Sequence, residues 1–207
     1  MRKILYSNRF LLYLISIILL LFAFPLADPD TPGSMLPTLA FTLVILSSLH
    51  AMQRERGIFT LAMIIGLPAI AARWIIREFG FVSPEVYANL FSVLFFALLC
   101  LFLLASVLGT DRITRDTISG AIGIYLTMGI TWAYSYQLVD TLIPRALSAE
   151  PTEMAYLYFS FVTLTTLGYG DITPLIPATE MMAIFEAVAG QLYIAVLIAR
   201  LVSSLSR

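Results

Sequence analysis

The sequence predicts an all-α membrane protein: six spanning helices, with a shorter helix re-entering the membrane between the fifth and the sixth. Three observations carry this. Of the 207 residues, 60% are hydrophobic and 12% charged, whereas a soluble domain is nearer half apolar and a quarter charged. The mean hydropathy is +0.93. The apolar residues also fall into runs near the roughly 20 residues that a helix needs to cross a bilayer.

The first span is Phe10 to Phe24, stopped by Pro25. Met1-Arg2-Lys3 ahead of it also fits a signal peptide, but the apolar run is long for one and no small-x-small cleavage site precedes Asp28. The second span is Leu36 to Met52, after the turn chemistry of Asp28-Pro29-Asp30-Thr31-Pro32-Gly33. The third is Ile58 to Ile76, where Pro68 predicts a kink. The fourth, Val86 to Gly109, carries no charge, and the fifth is Thr117 to Val139. The apolar segment Thr152 to Thr165 is too short to span and reads as re-entrant; Ala178 to Ser203 is the sixth span. The predicted domains are a four-helix scaffold (1–110), a linker (111–116) and a two-span unit (117–207).

Basic residues orient the chain, because cytoplasmic loops are enriched in Lys and Arg. With the N-terminus inside, Arg2, Lys3, Arg9, Arg54, Arg56, Arg112, Arg115, Arg200 and Arg207 lie on the cytoplasmic side. Arg73, Arg77 and Arg145 lie outside. This predicts a multi-pass protein of the cell membrane with both termini cytoplasmic. The single cysteine, Cys100, excludes an intrachain disulfide, and the single histidine, His50, excludes a polyhistidine zinc site. His50 reads as a solvated helix end rather than a pH sensor. No basic tract points to nucleic acid. No histidine cluster or paired carboxylates within a span point to an enzyme.

One stretch resists a helical reading. Thr163-Leu164-Thr165-Thr166-Leu167-Gly168-Tyr169-Gly170-Asp171 breaks an apolar run with two glycines. Non-helical backbone at membrane depth is tolerated only when buried in protein or lining a water-filled path. Thr166-Leu167-Gly168-Tyr169-Gly170 resembles the selectivity filter of potassium channels, with Leu167 where the usual form has Val. With Thr163, Thr165 and Asp171, a short helix before and a span after, the chain resembles a prokaryotic-type six-transmembrane potassium channel of the voltage-gated-like superfamily.

The resemblance implies a tetrameric pore whose K+ ligands are the carbonyls of Thr166, Leu167, Gly168 and Tyr169, plus the Thr166 hydroxyl. That carbonyl-ring chemistry is known of the family and is carried onto these positions. A dehydrated cation needs consecutive carbonyls on one axis, hence alternating backbone signs, which Gly168 and Gly170 supply without a Cβ penalty. Leu167 and Tyr169 side chains are expected to point away from the axis. Pro151 suits the first turn of the re-entrant helix and Glu153 suits its N-terminal dipole.

The expected backing of the filter departs from the family. The two tryptophans common in its pore helix stand here as Tyr158 and Phe159. Tyr158 retains a donor for Asp171, whereas Phe159 has none for the Tyr169 hydroxyl. Thr163 of a neighbouring copy is the candidate for that bond. Val162 replaces the glutamate of some bacterial members, so no Asp171–glutamate pair forms. Gly190 matches the family's inner-helix gating hinge in position, and close helix packing explains a glycine there equally well. Glu186 is a carboxylate within a span, where such groups face a cavity or a polar partner. A bond to the pore-helix end behind the filter is favoured over added cavity charge. Gln191 is a further polar candidate, between helices.

The voltage-gated class carries arginines along its fourth helix, and this chain has none there. One charge crossing the membrane potential is worth about 2.3 kcal/mol per 100 mV, so the main source of steep voltage dependence is missing. Arg73 and Arg77, near Trp74 and Glu78, read as interfacial anchors. No large cytoplasmic ligand-gating domain is expected. The expected function is a K+-selective channel without voltage gating, with K+, further copies of itself and lipid as partners and no cofactor. A weakly selective cation channel and a non-conducting scaffold or regulatory subunit are the alternatives.

Overall fold

Apolar runs fold as helices because each backbone N–H and C=O then finds its partner within its own segment. The computed structural model describes residues 9–26, 35–79, 84–110 and 114–205. The helices are α1 (Arg9–Ala23), α2 (Met35–Met52), α3 (Arg56–Phe79), α4 (Pro84–Leu108), α5 (Arg115–Leu142), α6 (Glu153–Leu164) and α7 (Pro177–Leu205). Each corresponds to one predicted segment. The Asp28–Gly33 turn, the linker residues Asp111 to Ile113, and Arg2, Lys3 and Arg207 of the charge count lie outside the described residues. So do the side chains of Arg77 and Glu78.

Among the described residues, four helices are long and apolar enough to cross a membrane: Met35–Met52, Arg56–Ile75, Glu85–Leu108 and Pro177–Arg200. Helix α1 is apolar but has only 15 residues. Helix α5 has 28, but Thr127, Thr131, Ser135, Gln137 and Asp140 dilute its apolar character. Pro68 sits inside α3 without ending it.

The chain divides into two compact units after Thr127, inside α5, later than the linker at 111–116. Packing gives the reason. A Cβ on Gly123 would come within 2.9 Å of the Tyr13 ring, and one on Gly120 within 3.2 Å of the Phe10 ring. The start of α5 is therefore bound closely to α1. Asp116 adds to this: its Oδ1 accepts the amides of Phe10 (3.0 Å) and Leu11 (3.2 Å). These are among the first-turn N–H groups that a helix cannot satisfy internally.

In the first unit, α1 buries Phe10, Tyr13, Leu14, Ile17 and Leu20, one stripe at helical spacing. Its other face is also apolar, with Leu19 51% and Phe22 66% exposed, as suits a lipid surface rather than water. Helix α2 packs on α1 and α3, and α3 on α4. Gly66 of α3 admits both Phe95 of α4 and Ile45 of α2. Phe96 meets Phe41 and Phe95 edge to face, with ring centroids 5.8 and 5.7 Å apart. Arg73 is buried, its guanidinium 4.3 Å from the Phe41 ring centroid, so its seat is an aromatic face. Trp74 donates to the Thr42 hydroxyl at 3.3 Å.

In the second unit, α6 lies against both the end of α5 and α7. A Cβ on Gly129 would stand 2.6 Å from the Phe161 ring, and one on Gly190 2.4 Å from the Leu164 carbonyl oxygen. Two glycines on the long helices thus let the short one approach closely. Helix α7 runs unbroken through Gly190, and the packing reading has this direct geometric basis. Thr152 is the N-cap of α6, and its hydroxyl accepts the Ala155 amide at 3.1 Å. Pro151 stands one residue outside, because the threonine oxygen supplies what the first turn lacks. Beyond the helix, Ser148 and Thr173 pair through backbone and side chain, and Leu175 donates to Ala146. Asp140 Oδ1 accepts the Ala146 amide and its Oδ2 the Tyr156 hydroxyl.

Replacing Asp116 with alanine should destabilise the protein by about 1 kcal/mol, as loss of a helix cap does, with Asp116→Asn recovering part of it in thermal unfolding in detergent. Gly190→Ala should cost more, about 1–3 kcal/mol as for an overpacked core, since a backbone oxygen must move. An unchanged melting temperature in Gly190→Ala would contradict the close approach.

Candidate functional site

The stretch after α6 begins as a helix terminus. Thr165 keeps a right-handed conformation and its hydroxyl donates back to Phe161 at 2.7 Å. Thr166 then turns left-handed, with φ of 59°. Its amide donates to Thr163 at 2.9 Å, and the Leu167 amide to Val162 at 2.9 Å. This is the paired-bond arrangement of a Schellman terminus, whose left-handed residue is usually glycine. A β-branched threonine there is an outlier and carries strain of about 1–3 kcal/mol.

The left-handed conformation recurs at Gly168 (φ 58°) and Gly170 (φ 79°). Backbone sign therefore alternates from Thr166 to Gly170. The glycines were legible in the sequence; Thr166 was missed, because nothing in a threonine announces a positive φ. The Gly168 amide also bonds Val162, at 3.3 Å. In a trans peptide the carbonyl points opposite the N–H. The Thr166 and Leu167 carbonyls are thus turned away from the end of α6.

Residues 165–171 are all exposed in the single chain. Leu167 is 55% exposed and Tyr169 66%. Beside them an apolar cleft of about 320 Å³ is lined by Met154, Leu157, Tyr158, Phe161, Val162, Thr165 and Leu167. Tyr158 donates to Asp171 Oδ2 at 2.7 Å, and this bond holds the Asp171 carboxyl below the usual carboxylate range. Phe159 turns the other way, its ring 4.9 Å from that of Tyr136 in an edge-to-face contact. The Thr163 carbonyl takes the Thr166 amide.

Glu186 is completely buried. It bonds not the end of α6 but its third turn, where Ser160 Oγ is 2.5 Å from Oε1; the Tyr136 hydroxyl is 2.8 Å from Oε2. Ser160 Oγ is also 2.7 Å from the Gly129 carbonyl oxygen. No sequence signal singles out Tyr136, since α5 offers Tyr125, Tyr134 and Tyr136 alike. Gln191 approaches Thr166 rather than another long helix: its Nε2 is 3.4 Å from the Thr166 hydroxyl. The geometry brings together Thr166 and Gln191, Tyr158 and Asp171, and Glu186 with α5 and α6. Gly190 stands beside Leu164, at the root of the stretch.

A family model described as "Ion channel" matches residues 120–207. Protein LctB of Bacillus caldotenax is 32% identical over 105 residues, which are 46% of this chain and 78% of LctB. Two pore potassium channel c of Oryza sativa subsp. japonica is 38% identical over 79 residues, 38% of this chain. Two-pore potassium channel 5 of Arabidopsis thaliana is 34% identical over 80 residues. The chain spans only 17% and 18% of these two plant channels. No solved structure matches. With four helices long and apolar enough to span, and with LctB covered over most of its length, the chain is a multi-pass membrane protein and belongs to the ion-channel family.

Proposed function

We propose that four copies of this chain form a K+-selective channel, with residues 166–169 as its filter. The observation that carries this reading is the backbone alternation at Thr166, Gly168 and Gly170, with successive carbonyls turned from the helix end. Four such strands around an axis replace a cation's hydration shell with carbonyl oxygens. K+ is the cargo. Its ligands are the Thr166, Leu167, Gly168 and Tyr169 carbonyls and the Thr166 hydroxyl. The strain at Thr166 is repaid by that hydroxyl, a group glycine lacks.

The exposed, apolar rim of the stretch supports the tetramer. Leu167 and Tyr169 and the cleft beside them need covering, and neighbouring copies cover them, with Thr163 of one meeting Tyr169 of the next. Tyr158 and Asp171 brace each filter within its own chain. Six spans follow if α1 and α5 cross the membrane with the four longer apolar helices, leaving both termini cytoplasmic in the cell membrane. Helix α4 carries no basic residue, which supports a pore without voltage gating. Gly190 bends as a hinge only if its contact with Leu164 is released. The names of the plant relatives, both potassium channels, favour K+ over other cations. Leu167, one methylene longer than the usual Val, favours the second reading, a weakly selective cation pore.

With purified protein in planar bilayers, K+ on one side and Na+ on the other, the current should reverse far from zero, at a potential that holds K+ back. Reversal near zero would leave the weakly selective reading, and no current from correctly inserted protein would leave a scaffold. Gly168→Ala should fold and assemble yet lose K+ flux, because alanine resists the left-handed conformation; retained flux would remove the filter from these residues. Tyr158→Phe, which deletes only the donor to Asp171, should shorten channel openings in single-channel records while the tetramer still forms.

A further inference from the structure

The hydroxyl and carboxyl contacts around Glu186 do not balance for an ionised side chain. Three contacts meet there: Ser160 Oγ to the Gly129 carbonyl oxygen at 2.7 Å, Ser160 Oγ to Glu186 Oε1 at 2.5 Å, and Tyr136 Oη to Glu186 Oε2 at 2.8 Å. Each needs one proton between its oxygens. A backbone carbonyl and a carboxylate only accept. Ser160 and Tyr136 bring one proton each, which leaves one contact without a proton.

We propose that the third proton resides on Glu186, which is a neutral carboxylic acid and a built proton-binding site joining α5, α6 and α7. The bonds then run in one direction. Glu186 Oε1 donates to Ser160, Ser160 donates to the Gly129 carbonyl, and Tyr136 donates to Oε2. Every polar atom of the group is satisfied, as a buried polar network requires. The surroundings are consistent with a neutral group. Glu186 is 0% exposed, and the side chains that its carboxyl meets are the hydroxyls of Ser160 and Tyr136. The titratable group facing it from α5 is the Tyr136 phenol, and α6 presents Ser160. The carboxyl in this part of α5, Asp140, is engaged separately by the Tyr156 hydroxyl and the Ala146 amide.

The proton has a structural consequence. Without it, Ser160 has one hydrogen for two acceptors, so α6 keeps its link to α5 or to α7 but not both. The helix that carries residues 165–171 then loses one of the two polar ties made through Ser160. This inference stands on the local geometry and does not require that the chain conduct.

Infrared spectra of the purified full chain at neutral pH test it. The wild type should show the carbonyl stretch of a protonated carboxylic acid. Glu186→Gln should lose that band, and Ser160→Ala, which removes the acceptor but leaves the acid, should move it to higher frequency. Absence of the band in the wild type would overturn the proposal, as would a band unchanged in Glu186→Gln. Should Glu186→Gln fail to fold, Ser160→Ala decides alone: a shifted band supports the assignment and an unmoved one defeats it.

Discussion

The seat of α6 is the constraint on which the second unit depends. A 12-residue helix gains little stability by itself. It is fixed here by close approach and by polar bonds. Gly129 and Gly190 remove the side chains that would hold the long helices off, so Phe161 meets α5 and Leu164 meets α7. Ser160 ties the same turn to a backbone carbonyl of α5 and to Glu186 of α7. Burying polar groups in a low-dielectric interior is costly unless they bond one another, so these contacts select one arrangement of the three helices. Residues 165–171 inherit their position from that arrangement.

Hydrogen bonds rather than side-chain packing set the backbone just beyond α6. The carbonyls of Val162 and Thr163 collect the amides of residues 166–168, and planarity of the peptide then turns the carbonyls of Thr166 and Leu167 outward. The helix terminus and the first part of the proposed filter are thus one structure. Its unusual member is Thr166, which accepts a left-handed backbone that glycine would take without strain. Strain of this kind persists where surrounding bonds over-determine it, and the amides on both sides of Thr166 do so. Gln191 comes to the same hydroxyl from α7, which brings α7 and the start of the stretch together at a single polar group.

The helices were legible because their apolar runs are long and their ends are marked by Pro25, by the Asp28–Gly33 turn and by charged segments. The motif was legible because Gly168, Tyr169 and Gly170 sit between a short helix and a long one. The partners were less so. Tyr158 with Asp171 could be read from the resemblance, but Glu186 with Tyr136 spans 50 positions and no periodicity encodes it. Asp116 looked like part of a charged linker, whereas it caps a helix more than 100 residues away. The Thr152 cap was masked in the sequence by the more conspicuous Pro151. Glu186 and Asp116 answer to what tertiary packing left unsatisfied, which local sequence does not contain, whereas the Thr152 cap is a local contact with Ala155.

The central claim is that carbonyls of residues 166–169 from four chains form rings that take a bare cation. The measurement that tests it most directly is anomalous diffraction from crystals of the assembled protein grown with a heavy K+ substitute such as Tl+. Anomalous density is expected on a fourfold axis, in successive positions level with the carbonyls of Thr166 to Tyr169. Density elsewhere only, or an assembly in which these carbonyls do not converge on one axis, would contradict it.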